Sequence, residues 1–172
     1  MYLGIIMDML TFTERDITDL ITCRKEVVDP PRLEMKLEGK MKRNEMTIRS
    51  SDNKHEFRVF MRQTEEFQEN FSIGLVYLPH KDPGEFILIR CNGQHGGTKS
   101  FPHHAVCHIH RMRAEDLNAG IKEPRMIEQT GEYASFTEAL RIFCHHINLD
   151  SADQYFPGLV QRRLFPGEEE QL

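Results

Sequence analysis

Glu85-Phe-Ile-Leu-Ile-Arg-Cys91, read straight into Asn92-Gly-Gln-His95-Gly-Gly97, decides how this chain folds. The centre of EFILIRC is apolar at consecutive positions, so it has no wet face. That is the pattern of a central strand covered on both sides. Upstream, Phe71 to Leu78 (FSIGLVYL) is another apolar strand, broken off by Pro79 to Gly84. Before it, His55 to Arg62 places Phe57, Val59 and Met61 on one face and Arg58, Phe60 and Arg62 on the other. Glu45 to Arg49 and Leu33 to Glu38 repeat the period-two alternation of a half-wet strand. Ser50-Ser51-Asp52-Asn53 is a polar turn between two of these runs. Downstream, Val106 to Met112 is the last strand. Short strands joined by short turns predict an antiparallel meander of five or six strands.

Helices flank this meander. Thr11 to Val28 has an apolar side of Phe12, Ile17, Leu20, Ile21 and Val28. Thr11 with Glu14, or Thr13 with Asp16, supplies a capping box, and Asp29-Pro30-Pro31 is the stop. Near the other end, Ser135 and Glu138 form a second capping box. Phe136, Ala139, Leu140, Phe143 and Ile147 then make one helical stripe. Ala114 to Tyr133, with Gly120, Pro124 and Gly131, reads mostly as connection. The expectation is an α+β fold in a single domain over residues 1–172: one antiparallel sheet with an N-terminal and a C-terminal helix. Residues 1–9 read as a pre-sequence or a short edge strand. After a short helical or extended segment (Tyr155 to Phe165), residues 166–172 read as a solvated tail.

Bulk properties narrow the function. With 172 residues and 39% hydrophobic content the chain can bury a core, and no apolar run approaches the ~20 residues of a membrane span. The opening MYLGIIM lacks the basic start of a signal peptide, which points to the cytoplasm. A net charge of -5 argues against a general nucleic-acid coat. Four scattered cysteines without a C-x-x-C pair read as reduced thiols, with Cys91 and Cys107 as core residues. An apolar sheet also makes an edge strand available for a homodimer.

The chemistry concentrates in Asn92 to Arg113, which holds five of the nine histidines: His95, His103, His104, His108 and His110. In an extended strand His108 and His110 share a face, about 7 Å apart at ~3.3 Å per residue, while Cys107, Ile109 and Arg111 take the other. Two imidazoles so placed suit two ligands of one metal, or an acid and a base on one scissile bond. His95, just after the apolar strand, can join them. His103 and His104 fall in the intervening loop. Arg90 and Arg111 are the candidates to steady phosphate charge. His145 and His146 end the last helix, where the dipole favours them. The run Val106-Cys107-His108-Ile109-His110 departs from the His-φ-His-φ-His of histidine-triad nucleotide hydrolases at Val106. It also lacks the hydroxyl residue and second copy of the two-histidine phosphoesterases. Walker A, H-E-x-x-H and G-x-S-x-G patterns are absent.

The order of features resembles a family of small bacterial and phage proteins known only as a domain of unknown function. The resemblance rests on a helix opening near L-T-x-x-E (Leu10 to Glu14) and an asparagine-glycine-x-histidine run (Asn92, Gly93, His95). A paired-histidine strand (His108, His110) follows, and the likeness spans about Leu10 to Ile147. In that family an aspartate- or asparagine-rich loop follows the first histidine; here the loop is GGTKSFPHHAV. The resemblance implies a cytoplasmic, mobile-element linked protein and carries no activity with it. Three readings stay open. One is a small phosphodiesterase or nuclease, toxin-antitoxin linked, acting on RNA through His95, His108 and His110. Another is a non-catalytic module with structural histidines that binds a protein partner. The third is a metal-binding protein, with the same three histidines holding a divalent ion such as zinc.

Overall fold

The computed structural model of the chain describes residues 11–80 and 84–159. In order these form α1 (Glu14–Thr22), β1 (Lys25–Asp29), β2 (Lys36–Glu38), β3 (Met41–Ser50), β4 (Glu56–Thr64), β5 (Phe71–Leu78), β6 (Phe86–Asn92) and β7 (His108–Arg111). Then come α2 (Ala114–Asn118), β8 (Met126–Gln129), α3 (Phe136–His146) and α4 (Ala152–Tyr155). The fold is α+β, with one antiparallel sheet. It has eight strands, in the order β1-β3-β4-β5-β6-β7-β8 with β2 paired to β3 outside that path, and not five or six. The readings for residues 1–9, Val160 to Phe165 and 166–172 lie outside the described residues.

The two additional strands are the ones that local pattern hid. β1 falls inside the stretch expected to be helical up to Val28. The helix instead stops after Thr22, with Cys23 as its cap. Lys-Glu-Val-Val-Asp, with its β-branched pair, then pairs with β3. Buried Lys25 closes this joint: its Nζ donates to the carbonyls of Ile21 and Cys23 (both 2.7 Å) and of Ile147 (3.1 Å), and lies over the Phe57 ring. One ammonium thereby satisfies carbonyls at the C-terminal ends of both α1 and α3. β8, expected as connection, is a four-residue edge strand whose side chains are all exposed, so it shows no alternation.

The helical face of the sheet follows directly from strand parity. Met46 and Ile48, Phe57, Val59 and Met61, Ile73 and Leu75, Ile89 and Cys91, and Ile109 form one buried cluster with Ile17, Leu20 and Ile21 of α1 and Ala139, Leu140 and Phe143 of α3. Each such side chain contributes about 1.5–3 kcal/mol of burial. Both expected capping boxes are formed: Thr13 with Asp16, and Ser135 with Glu138. β6 is interior, but the middle of the strand path is β5, one strand over from the expected centre. β5 is the more completely covered of the two, with Ile73 to Tyr77 all buried.

On the opposite face, paired positions form two rows across the sheet. One row runs Arg43, Arg62, Ser72, Asn92, His108. The next runs Glu45, Phe60, Gly74, Arg90, His110. Gly74 is required where it stands, because a β-carbon there would overlap the Phe60 ring lying across it.

Candidate metal centre

The loop from Gly93 to Cys107 folds back over the end of this open face. It turns as soon as β6 ends. The Gly93 amide donates to the Phe71 carbonyl at 3.0 Å, and a β-carbon on Gly93 would overlap the Glu69 carbonyl and the Phe71 ring. The His95 amide then donates to the His104 carbonyl at 2.9 Å, which ties the two ends of the loop together. A short 3-10 turn, Pro102–Ala105, presents His103 and His104. β7 presents His108 and His110, both buried.

All five histidines converge. Ring centroids are 4.2 Å apart for His95 and His104, 4.3 Å for His103 and His104, and 5.1 Å for His108 with either His103 or His110. Among the described residues two groups have ligand nitrogens within 4.8 Å of one another: His95, His104 and His108, and His103, His108 and His110. His108 and His110 share the face that parity assigned them. The expected trio of His95, His108 and His110 does not form one group, since His95 and His110 fall in different ones. His103 and His104, which sequence spacing left in the loop, complete the groups. The glycines at 93, 96 and 97 were the sequence signal that the loop can fold back, but not where it lands.

Hydrogen bonds fix the protonation of three of the rings. His95 Nδ1 lies 3.0 Å from the Gly93 carbonyl, His108 Nδ1 2.8 Å from that of Val106, and His110 Nδ1 3.2 Å from that of Pro124. A carbonyl only accepts, so each Nδ1 carries the proton and the neutral ring keeps its lone pair on Nε2. A metal-binding imidazole is oriented in the same way, by an outer hydrogen bond from its other nitrogen. His108 Nε2 accepts from Asn92 Nδ2 at 3.2 Å, and Asn92 Oδ1 in turn accepts from Ser72 Oγ at 2.8 Å. His110 Nε2 is buried and has no hydrogen-bond partner among the described residues. Burial, the largest cause for both rings, pushes His108 and His110 down to about 4; neighbouring histidines add to it, as does Arg90 for His110. Both are therefore neutral at physiological pH, with the Nε2 lone pair of His110 free among the described residues and that of His108 engaged by Asn92.

Arg90 and Arg111 separate. Arg90 shares the histidine face, opposite His110. Arg111 points the other way, to His146 of α3 (3.4 Å) and Glu128 (3.9 Å), so the expected pair of phosphate-steadying arginines is split by the sheet. His146 also meets Glu132, at 3.4 Å. The four cysteines are unpaired thiols, and burial pushes Cys91 up to about 12, as suits a core residue.

Comparison with protein-family models, with curated proteins and with solved structures finds no match. Fold and site together define an α+β protein with one sheet face closed by helices and the other carrying a buried histidine centre. No described helix is long and apolar enough to cross a membrane.

Proposed function

We propose that this protein binds one divalent transition-metal ion of the zinc type through His103, His108 and His110, and that the site is hydrolytic. The observation that carries the reading is the buried, unpartnered Nε2 of His110, beside a His108 ring oriented by the same kind of carbonyl bond. A buried lone pair with no donor is costly, and a metal ion satisfies it. An all-imidazole set suits zinc, copper, nickel or iron better than magnesium or calcium. The other trio shares His108, whose Nδ1 is already spent, so the two groups are alternatives for a single ion. His95 and His104 then line the approach to it.

Of the three ligands His110 lines an open cavity; three protein ligands with an open fourth position is the arrangement of catalytic zinc sites, whereas structural sites close that position with protein. Such an ion, when bound, supplies Lewis acidity and lowers the pKa of a water in its shell. The chain's own part is to hold neutral imidazoles in place. With Zn–N near 2.0–2.1 Å, tetrahedral ligands sit about 3.3–3.4 Å apart. The nitrogens, within 4.8 Å of one another, would close in by at most about 1.5 Å on binding.

Elemental analysis of untagged protein tests this. Near one equivalent of zinc, copper, nickel or iron is expected, with His110→Ala weakening metal binding at least tenfold. A metal content far below one equivalent that zinc addition does not raise, or one that His110→Ala leaves unchanged, overturns the reading. RNA cleavage that persists in excess chelator would return the histidines to metal-free acid–base chemistry.

A further inference from the structure

The cavity beside the histidines has a composition that the metal does not explain. It holds about 350 Å³, and its wall includes Arg62, Arg90, Ser72, Asn92, His104 and His110. Among the described residues no aspartate or glutamate lines it, in a chain with 27 acidic residues and a net charge of -5. An acidic protein that keeps carboxylates out of one cavity, and places two guanidinium groups there, has built a local anion site.

The two arginines arrive by different routes. Arg62 is in the same cross-sheet row as Asn92 and His108, and its guanidinium stacks on the Phe60 ring, 4.9 Å from the centroid. Gly74 lets the Phe60 ring lie flat across β5 and so sets the height of that stack. Among the described residues Arg62 forms no ion pair. Arg90 is held by Glu123, from Nη1 to Oε2 at 3.0 Å, but its Nε is buried and has no hydrogen-bond partner among the described residues. One edge of the Arg90 fork is therefore used and another is left with a donor to place. The arginines also sense each other: burial chiefly lowers the Arg90 guanidinium pKa, Glu123 opposes it, and the charge of Arg62 adds a smaller lowering. A dianion between them would relieve that repulsion.

We propose that this cavity takes the phosphate group of a phosphoester, held by Arg62 and Arg90 beside the histidine centre. The inference deepens the hydrolytic reading by naming its substrate class, and it rests on that reading only for the chemistry, not for the binding. Planar guanidinium forks match phosphate oxygens in pairs. The volume is at the lower end of small-molecule sites, so it accommodates a phosphoester with part of its alcohol as well as a bare ion.

The test is thermal unfolding of the full chain titrated with sodium phosphate, with sodium chloride at matched ionic strength, and with a short oligoribonucleotide. Phosphate is expected to raise Tm saturably where chloride does not, and Arg62→Gln and Arg90→Lys to weaken the apparent affinity at least tenfold. Arg62→Gln guards against a folding defect, since this side chain makes no ion pair among the described residues, and its own Tm without phosphate is the control. Oligoribonucleotide binding that competes with phosphate assigns the phosphoester to RNA; phosphate binding without competition assigns it to a small molecule. A phosphate response unchanged in both variants, or no response to phosphate or oligoribonucleotide, overturns the inference. Metal content measured on the same samples separates the two ideas. Phosphate binding through Arg62 without metal leaves this inference standing and removes the metal reading, and metal binding without an Arg62-dependent phosphate response does the reverse.

Discussion

Asn92 and His108 are partners twice over. They sit opposite each other in the β6–β7 ladder, and the Asn92 amide donates from Nδ2 to His108 Nε2 at 3.2 Å. The lone pair that a metal would take is thus occupied by a neighbour that Ser72 holds in place from the next strand. Metal binding at His108 must break this bond.

Asn92→Ala is therefore expected to tighten zinc binding. Removing a competitor worth about 1 kcal/mol corresponds to about a fivefold lower Kd. Competition titration against a zinc-chelating dye measures it. Weaker binding in the variant would show that Asn92 orients His108 and does not compete with the ion.

The stability of the metal-free protein should fall in acid through His108 and His110. Both titrate at about 4 when folded and near 6.5 when unfolded. Between those values the unfolded chain binds more protons, so stability decreases as pH drops from about 6.5 to about 4. The ceiling is about 3 kcal/mol for each ring. Urea unfolding in chelator at pH 7.5, 6 and 5 should show the decline, and the His108→Gln, His110→Gln double variant should flatten it. An unchanged slope in that variant would place the titrating groups elsewhere.

Gly93→Ala should damage both fold and centre. The added methyl meets the Glu69 carbonyl and the Phe71 ring, and Phe71 is in the core. Overpacking of this kind costs about 1–3 kcal/mol. The loop that carries His95, His103 and His104 starts at this residue, so zinc affinity should fall along with Tm. A variant that loses stability but keeps wild-type zinc affinity would show that the loop positions its histidines independently of Gly93.

Much of this protein was readable one residue at a time. The capping boxes at Thr13 and Ser135 formed because the partner is three residues away and the geometry is local. β4, β5 and β6 came within a residue or two of the expected bounds, because their apolar positions repeat with a strand's period. The shared face of His108 and His110 needed only that period. The sequence by itself determined these elements, their faces and the stretch that carries the histidines. Tertiary structure decided what joins them. Residues 25–29 became a strand because β3 offers an edge and Lys25 finds carbonyls on two helices, one of them 122 residues away. β8 exists through its pairing with β7, without a buried side chain of its own. His103 and His104 entered the centre because the loop closes onto β5 and β6 through Phe71 and Gly93. Arg62 and Arg90 line one cavity because three strands, β4, β5 and β6, were brought into register. Periodicity is a property of neighbouring residues, whereas register and loop closure depend on partners far along the chain, which spacing does not encode.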